Sequence, residues 1–137
     1  MALFYLDSSA LVKVVHEEPE SAALRALLAD ADLVSCELSL TEVPRAIFRA
    51  SSGEPELPTD LLLTRAAELF EALALLPIDR DLLGAAGALT EPALRSLDAI
   101  HLIAAIVISP IDAFVSYDVR QSAVARLAGL RTMAPAL

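Results

Sequence analysis

The chain has one cysteine, Cys36, and no tryptophan, and aromatic residues make up only 4% of it. A disulfide within the chain is therefore excluded. No secretory signal peptide is read at its start, so a reducing cytoplasm is the expected compartment. Glycine is scarce, and one stretch alone, Ser51 to Pro58, is dense in helix breakers. It is too short to link two domains, so a single domain over residues 1–137 is expected, large enough to bury roughly two-thirds of its unfolded surface. The longest apolar run, Ala99 to Ile108, contains His101 and is too short to cross a bilayer. No membrane segment is expected. Bases are scarce as well: 10 Lys and Arg stand against 19 Asp and Glu, for a net charge of −9. Lys13 is the sole lysine. A chain this acidic is a poor non-specific binder of nucleic acid, because phosphate contacts need Lys and Arg.

What the chain does have is apolar residues and well-placed acids. Hydrophobic residues make up 56% of it, and its mean hydropathy is +0.60. That excess is expected to lie partly in an oligomer or partner interface. Ala2 to Leu6 is an unbroken apolar run, the pattern of a strand buried on both faces, and it ends at Asp7. Helices are expected over Ser8–His16, Glu20–Ala29, Thr41–Ala50, Asp60–Leu73 (capped by Thr59), Arg80–Leu89 (capped by Asp79), Leu97–Ile108 and Val119–Ala128 (closed by Gly129). The third of these could instead start at Ser39 with a capping box, but Thr41 as cap places Pro44 where a missing N–H costs nothing. Short strands are expected over Leu33–Ser35, Ala74–Ile78, Ala113–Tyr117 and Leu130–Met133. Strands alternating with helices imply right-handed crossovers and an α/β fold, a parallel sheet sandwiched between helices.

Asp7 and Asp118 follow apolar strands, and Glu42 and Asp98 lie near helix starts. In this topology strand ends and helix starts share one edge of the sheet, where open α/β sheets bind ligands. Four carboxylates can therefore converge. They would repel one another unless a divalent cation sits among them, and Mg²⁺ or Mn²⁺ prefers oxygen ligands of this kind. Two such ions about 3.5–4 Å apart suit in-line phosphodiester hydrolysis. Each acid also has a plainer reading: Asp7 and Asp118 as helix caps, Glu42 as a capping-box acid, Asp98 as a first-turn acid favoured by the helix dipole.

The segments Leu6-Asp7-Ser8-Ser9-Ala10-Leu11-Val12-Lys13, Leu40-Thr41-Glu42-Val43-Pro44-Arg45-Ala46, Leu97-Asp98-Ala99-Ile100-His101-Leu102-Ile103-Ala104-Ala105 and Phe114-Val115-Ser116-Tyr117-Asp118 occur in that order. Together they resemble the PIN-domain family, and most of all its VapC-type ribonuclease toxins of toxin–antitoxin pairs. The resemblance implies a three-layer α/β/α sandwich and a magnesium- or manganese-dependent endoribonuclease with Asp7, Glu42, Asp98 and Asp118 as its acidic site. It further implies a homodimer, and a VapB-like antitoxin whose tail occupies the active-site groove. The family often has Thr two residues before the last Asp; here Ser116 keeps the hydroxyl.

Ser9 and Ser116 are candidate donors to the site carboxylates or to metal-bound water. On a strand, Ser116 and Asp118 would share a face. Lys13, Arg45, Arg49 and Arg95 are the candidate contacts to RNA phosphates, with surface salt bridges as the other reading of each. His101, three residues after Asp98, is within reach of the site but reads as a packed helix histidine. Asp79 and Asp112 read as caps and Cys36 as core. A catalytically silent PIN-like binding module is the competing reading. A receiver domain fits poorly, because Ser8 follows Asp7 and no lysine follows Lys13. A haloacid-dehalogenase-like phosphatase fits poorly too, because Ser9 stands where a second Asp is wanted.

Overall fold

The computed structural model describes residues 1–136. Five strands, β1 (Leu3–Leu6), β2 (Asp32–Cys36), β3 (Ala74–Leu76), β4 (Ala113–Val115) and β5 (Thr132–Met133), form one sheet in the order β3-β2-β1-β4-β5. Every pairing is parallel. The helices are α1 (Ser8–Val15), α2 (Ser21–Leu28), α3 (Ser39–Gly53), α4 (Thr59–Ala72), α5 (Arg80–Gly87), α6 (Ser96–Ile108) and α7 (Val119–Leu127).

Side-chain alternation on β1 divides the core in two. Phe4 and Leu6 face a cluster built with α1 to α4, including Leu11, Leu24, Ile47 and Leu62. Tyr5 faces the other cluster, with Leu82 of α5, Leu102 of α6 and Ala125 of α7. The result is the expected α/β/α sandwich with β1 at its centre. That position explains the unbroken apolar run: a strand covered on both faces has no solvent side to mark with polar residues.

Four local expectations are corrected. The third helix begins at Ser39, not at Thr41, and Pro44 lies inside it. Glu42 caps nothing; the turn is closed by backbone bonds from Thr41 and Glu42 N–H to the Leu38 carbonyl. Proline forfeits the bond to the Leu40 carbonyl, but Leu40 is exposed, so water can take the donor's place. The same helix runs on through Ser51–Gly53, which read as loop. Thr59 is the first residue of α4 rather than its cap, and its hydroxyl pairs with that of Ser51. Finally, β4 ends at Val115, so Ser116 and Asp118 lie beyond the strand.

Most other expectations stand. Asp79 caps α5 through Leu82 N–H; Asp112, read as a cap, instead accepts from Leu3 N–H at the start of β1. Cys36 is buried. Ala128 is the C-cap of α7, and Gly129 follows it at φ +91°, a conformation that favours glycine. No helix among the described residues is long and apolar enough to cross a membrane.

The two-faced core makes a direct prediction. Leu11, wholly buried against β1, and Leu127, exposed on α7, differ only in environment. Leu11→Ala should lose about 2–5 kcal/mol in urea denaturation, and Leu127→Ala less than about 0.5 kcal/mol. Equal losses would contradict the described packing.

Candidate active site

A cavity of about 830 Å³ opens at the carboxyl edge of the sheet, and Asp7, Glu42, Asp98 and Asp118 all line it. Each acid is delivered by a chain reversal. Asp7 ends β1 and caps α1, accepting from Ala10 N–H at 3.0 Å. Glu42 and Asp98 lie in the first turns of α3 and α6. Asp118 caps α7, accepting from Arg120 and Gln121 N–H at 2.9 and 3.1 Å. The cap readings of Asp7 and Asp118 are thus realised together with their place in the cavity; a carboxylate can accept a helix N–H and still hold lone pairs in reserve.

Asp7 is the most constrained of the four, with only 2% of its surface exposed. Ser9 Oγ donates to its Oδ1 at 2.6 Å, and Ser116 Oγ donates to its Oδ2 at 2.5 Å. Each serine also accepts a backbone N–H, Ser9 from Tyr117 and Ser116 from Asp118. The two hydroxyls therefore tie the end of β1 to the segment after β4. Burial pushes the Asp7 carboxyl up, and the Ser116 and Ser9 hydrogen bonds offset part of that.

Burial also pushes Asp98 up, and the charges of Asp118 and then Glu42 add to it, with the Arg95 backbone and His101 working the other way. Glu42 goes in the opposite direction. Burial would raise it, but His101, the Ser8 hydroxyl and Arg49 outweigh burial and hold it below its ordinary range. His101 is more than a packed histidine. It is buried among core residues, yet its Nε2 lies 2.6 Å from Glu42 Oε1.

Ser8 and Gln121 were not singled out from sequence. Ser8 donates to Glu42 Oε1. Gln121 Nε2, buried, donates to the Asp98 backbone carbonyl at 3.0 Å and so fixes the start of α6 against α7. For Ser8 the signal was its place directly after the strand-end acid. For Gln121 the sequence carried none.

The four candidate phosphate contacts, Lys13, Arg45, Arg49 and Arg95, also line the cavity. Lys13 is committed to Glu18 and Glu20 and sits 4.9 Å from the Tyr117 ring centroid. Arg45, Arg49 and Arg95 make no ion pair among the described residues.

The donor set is all carboxylate oxygen, the chemistry that hard divalent cations prefer. The mutual repulsion felt by Asp98 is what such a cation would relieve. In their present side-chain positions, however, no three His, Cys, Asp or Glu groups among the described residues are arranged to hold a metal ion. Side-chain adjustment has to accompany binding.

A carboxyl whose pKa is raised on folding destabilises the folded state once it ionises, so its cost is absent at low pH and develops as pH rises through the raised pKa. Metal-free Asp98→Asn should therefore melt at a higher temperature than wild type at neutral pH in EDTA, with the gain vanishing in acid. A gain that persists unchanged in acid, or none at neutral pH, would contradict the repulsion described.

Residues 4–127 match the family model of the PIN domain. Among curated proteins of Mycobacterium tuberculosis, the chain is 35% identical to Ribonuclease VapC47 over 97% of both chains, and 38% identical to Ribonuclease VapC35 with the same coverage. It is 37% identical to Ribonuclease VapC46 over 98% of this chain and 99% of that one. Among solved structures, the Mycobacterium tuberculosis toxin VapC20, described as cleaving the sarcin–ricin loop, superposes with a TM-score of 0.74 at 16% identity, over 96% of this chain and 99% of that one. At that identity the likeness speaks for the fold. Four strand-end and helix-start acids on one cavity, the family match and the near-full-length relatives together establish that the chain belongs to the PIN-domain family, among the VapC proteins.

Proposed function

We propose that this protein is a metal-dependent endoribonuclease toxin of a toxin–antitoxin pair. The observation that carries the reading is the meeting of Asp7, Glu42, Asp98 and Asp118 on one cavity, in a chain whose near-full-length relatives are named ribonucleases. Those four carboxylates are the residues that would hold Mg²⁺ or Mn²⁺. When bound, the cation supplies Lewis-acid activation of water and charge neutralisation at the scissile phosphate.

The remaining work falls to the chain itself. Ser9 and Ser116 fix Asp7 by donating to both its oxygens, leaving it as an acceptor that cannot rotate. The N-terminal amides of α7 hold Asp118 by one oxygen, Oδ1. Arg45 and Arg49, one turn apart on α3, and Arg95 before α6 provide positive charge on the cavity wall for RNA phosphates. Lys13 joins them if its carboxylate partners release it. This local wall answers the objection from net charge, since phosphate is met only where the bases are gathered.

The proposal extends to the molecule's setting. The whole chain, residues 1–137, acts as one domain in the cytoplasm, and it forms a homodimer. A VapB-like antitoxin occupies the cavity and blocks RNA. Exposed apolar residues such as Phe48 and Leu61 are consistent with surfaces that partners cover. One observation favours the competing reading of a silent PIN-like binding module: the ungrouped state of the donors as they stand.

Cleavage decides between the two. Purified protein should cut structured RNA with Mg²⁺ or Mn²⁺ and not with EDTA, and Asp98→Asn or Asp7→Asn, prepared identically and folded, should lose the activity. Cutting that survives EDTA, or equal cutting by wild type and variants, would overturn the assignment. A folded wild type that binds RNA and cuts none with either metal would favour the silent module.

A further inference from the structure

His101 lies between two groups that have no sequence relation to it. On one side its Nδ1 is 2.8 Å from the Tyr5 hydroxyl, in the middle of β1. On the other its Nε2 is 2.6 Å from Glu42 Oε1, in α3. The carboxylate can only accept, so Nε2 carries a proton. Nδ1 faces the Tyr5 hydroxyl, which can donate to it or accept from it, so both ring nitrogens have a partner whether or not the ring is charged. The anchor is rigid: the Tyr5 ring is stacked on Phe114 at 5.4 Å and meets the His101 ring edge-on at 5.9 Å.

Glu42 is held by one oxygen only. Oε1 takes both His101 and Ser8, while Oε2 accepts no hydrogen bond among the described residues. Nδ1 is met from the core, by Tyr5 and by Cys36, whose Sγ lies 3.8 Å away, whereas Nε2 is met from the cavity side, by Glu42 and by the Ser8 hydroxyl at 3.2 Å.

We propose that His101, braced by Tyr5, is a positioning residue for Glu42: it clamps Oε1 and thereby sets where Oε2 stands for a cation in the cavity. The position of one site acid is thus dictated from inside the core, through the central strand, rather than by its own helix. The inference rests on the reading of the cavity as a cation site, and it assigns His101 no contact with RNA or metal.

Asn and Gln at position 101 separate this role from simple packing. The Asn amide reaches the place of Nδ1 and keeps Tyr5, but falls short of Glu42. The Gln amide reaches the place of Nε2. Mn²⁺ alone is titrated by calorimetry into wild type, His101→Asn, His101→Gln, Glu42→Gln and the double variant Glu42→Gln/His101→Asn, each shown folded by thermal melt. His101→Asn should weaken Mn²⁺ binding about 10–100-fold, as loss of a partner to a metal ligand commonly does. His101→Gln, which keeps the Glu42 contact and loses only the Tyr5 brace, should weaken binding less than His101→Asn does, and the double variant should bind no more weakly than Glu42→Gln. Should His101→Asn fail to fold, Tyr5→Phe removes the brace while keeping the stacked ring; it should weaken binding in wild type and not in Glu42→Gln. Wild-type affinity in the folded Asn variant (or in Tyr5→Phe, where that replaces it), equal loss in Asn and Gln, an additive loss in the double variant, or no Mn²⁺ binding by wild type would each overturn the proposal. RNA cleavage is read in parallel: the expected Mn²⁺ pattern without cutting would contradict the ribonuclease reading and leave the positioning role standing.

Discussion

Asp7 is a nearly fully buried carboxyl at the end of the central strand, and most of the site is built to tolerate it. An unpaired buried carboxylate is costly, and no basic side chain among the described residues pairs with this one. It is instead held by two serine hydroxyls and a helix N–H. Those three donors come from α1 and from the segment after β4, so satisfying one carboxyl also fixes the junction of β1, α1 and β4. Removing either hydroxyl would loosen the geometry of that junction as well as the charge.

The remaining acids follow from topology. A parallel sheet with helical crossovers places strand ends and helix starts on one edge, so Glu42, Asp98 and Asp118 need no special loop to reach Asp7's cavity. The arrangement concentrates like charge, and the raised Asp98 carboxyl records it. Helix amides at Asp118 and His101 at Glu42 offset part of the repulsion from within the protein. What remains favours a cation, and so metal-free stability is set against function at the same four residues.

Much of this was legible in the residues. The unbroken run Ala2–Leu6 announced a doubly covered central strand, and the four acids could be placed by their position after strands or at helix starts. The fold class, the helices and the convergence of the acids on one cavity follow from that reading. What failed was local: propensity put the start of α3 at Thr41 because Pro44 looked unsuited to a helix interior, whereas exposure of Leu40 makes the lost bond tolerable. The end of α3 was missed because Ser51–Gly53 carries breakers, yet Ser51 finds a partner in Thr59 across the turn. His101, Ser8 and Gln121 act across separations of 23 to 96 residues, and no window along the chain contains such contacts. The strand order β3-β2-β1-β4-β5 was likewise beyond periodicity, which reports burial and not neighbours.

The central claim is that the four carboxylates form a cation site, although their side chains are not grouped as one in the metal-free structure. The most direct measurement is a crystal structure of the protein soaked in Mn²⁺, with the ion located by its anomalous scattering. At least one ion is expected in the cavity, with carboxylate oxygens of Asp7, Glu42, Asp98 or Asp118 among its ligands at about 2.0–2.2 Å, close to the spacing of octahedral Mg²⁺ sites. Well-ordered protein with no anomalous peak in that cavity, at Mn²⁺ concentrations that saturate weak sites elsewhere on the surface, would contradict it.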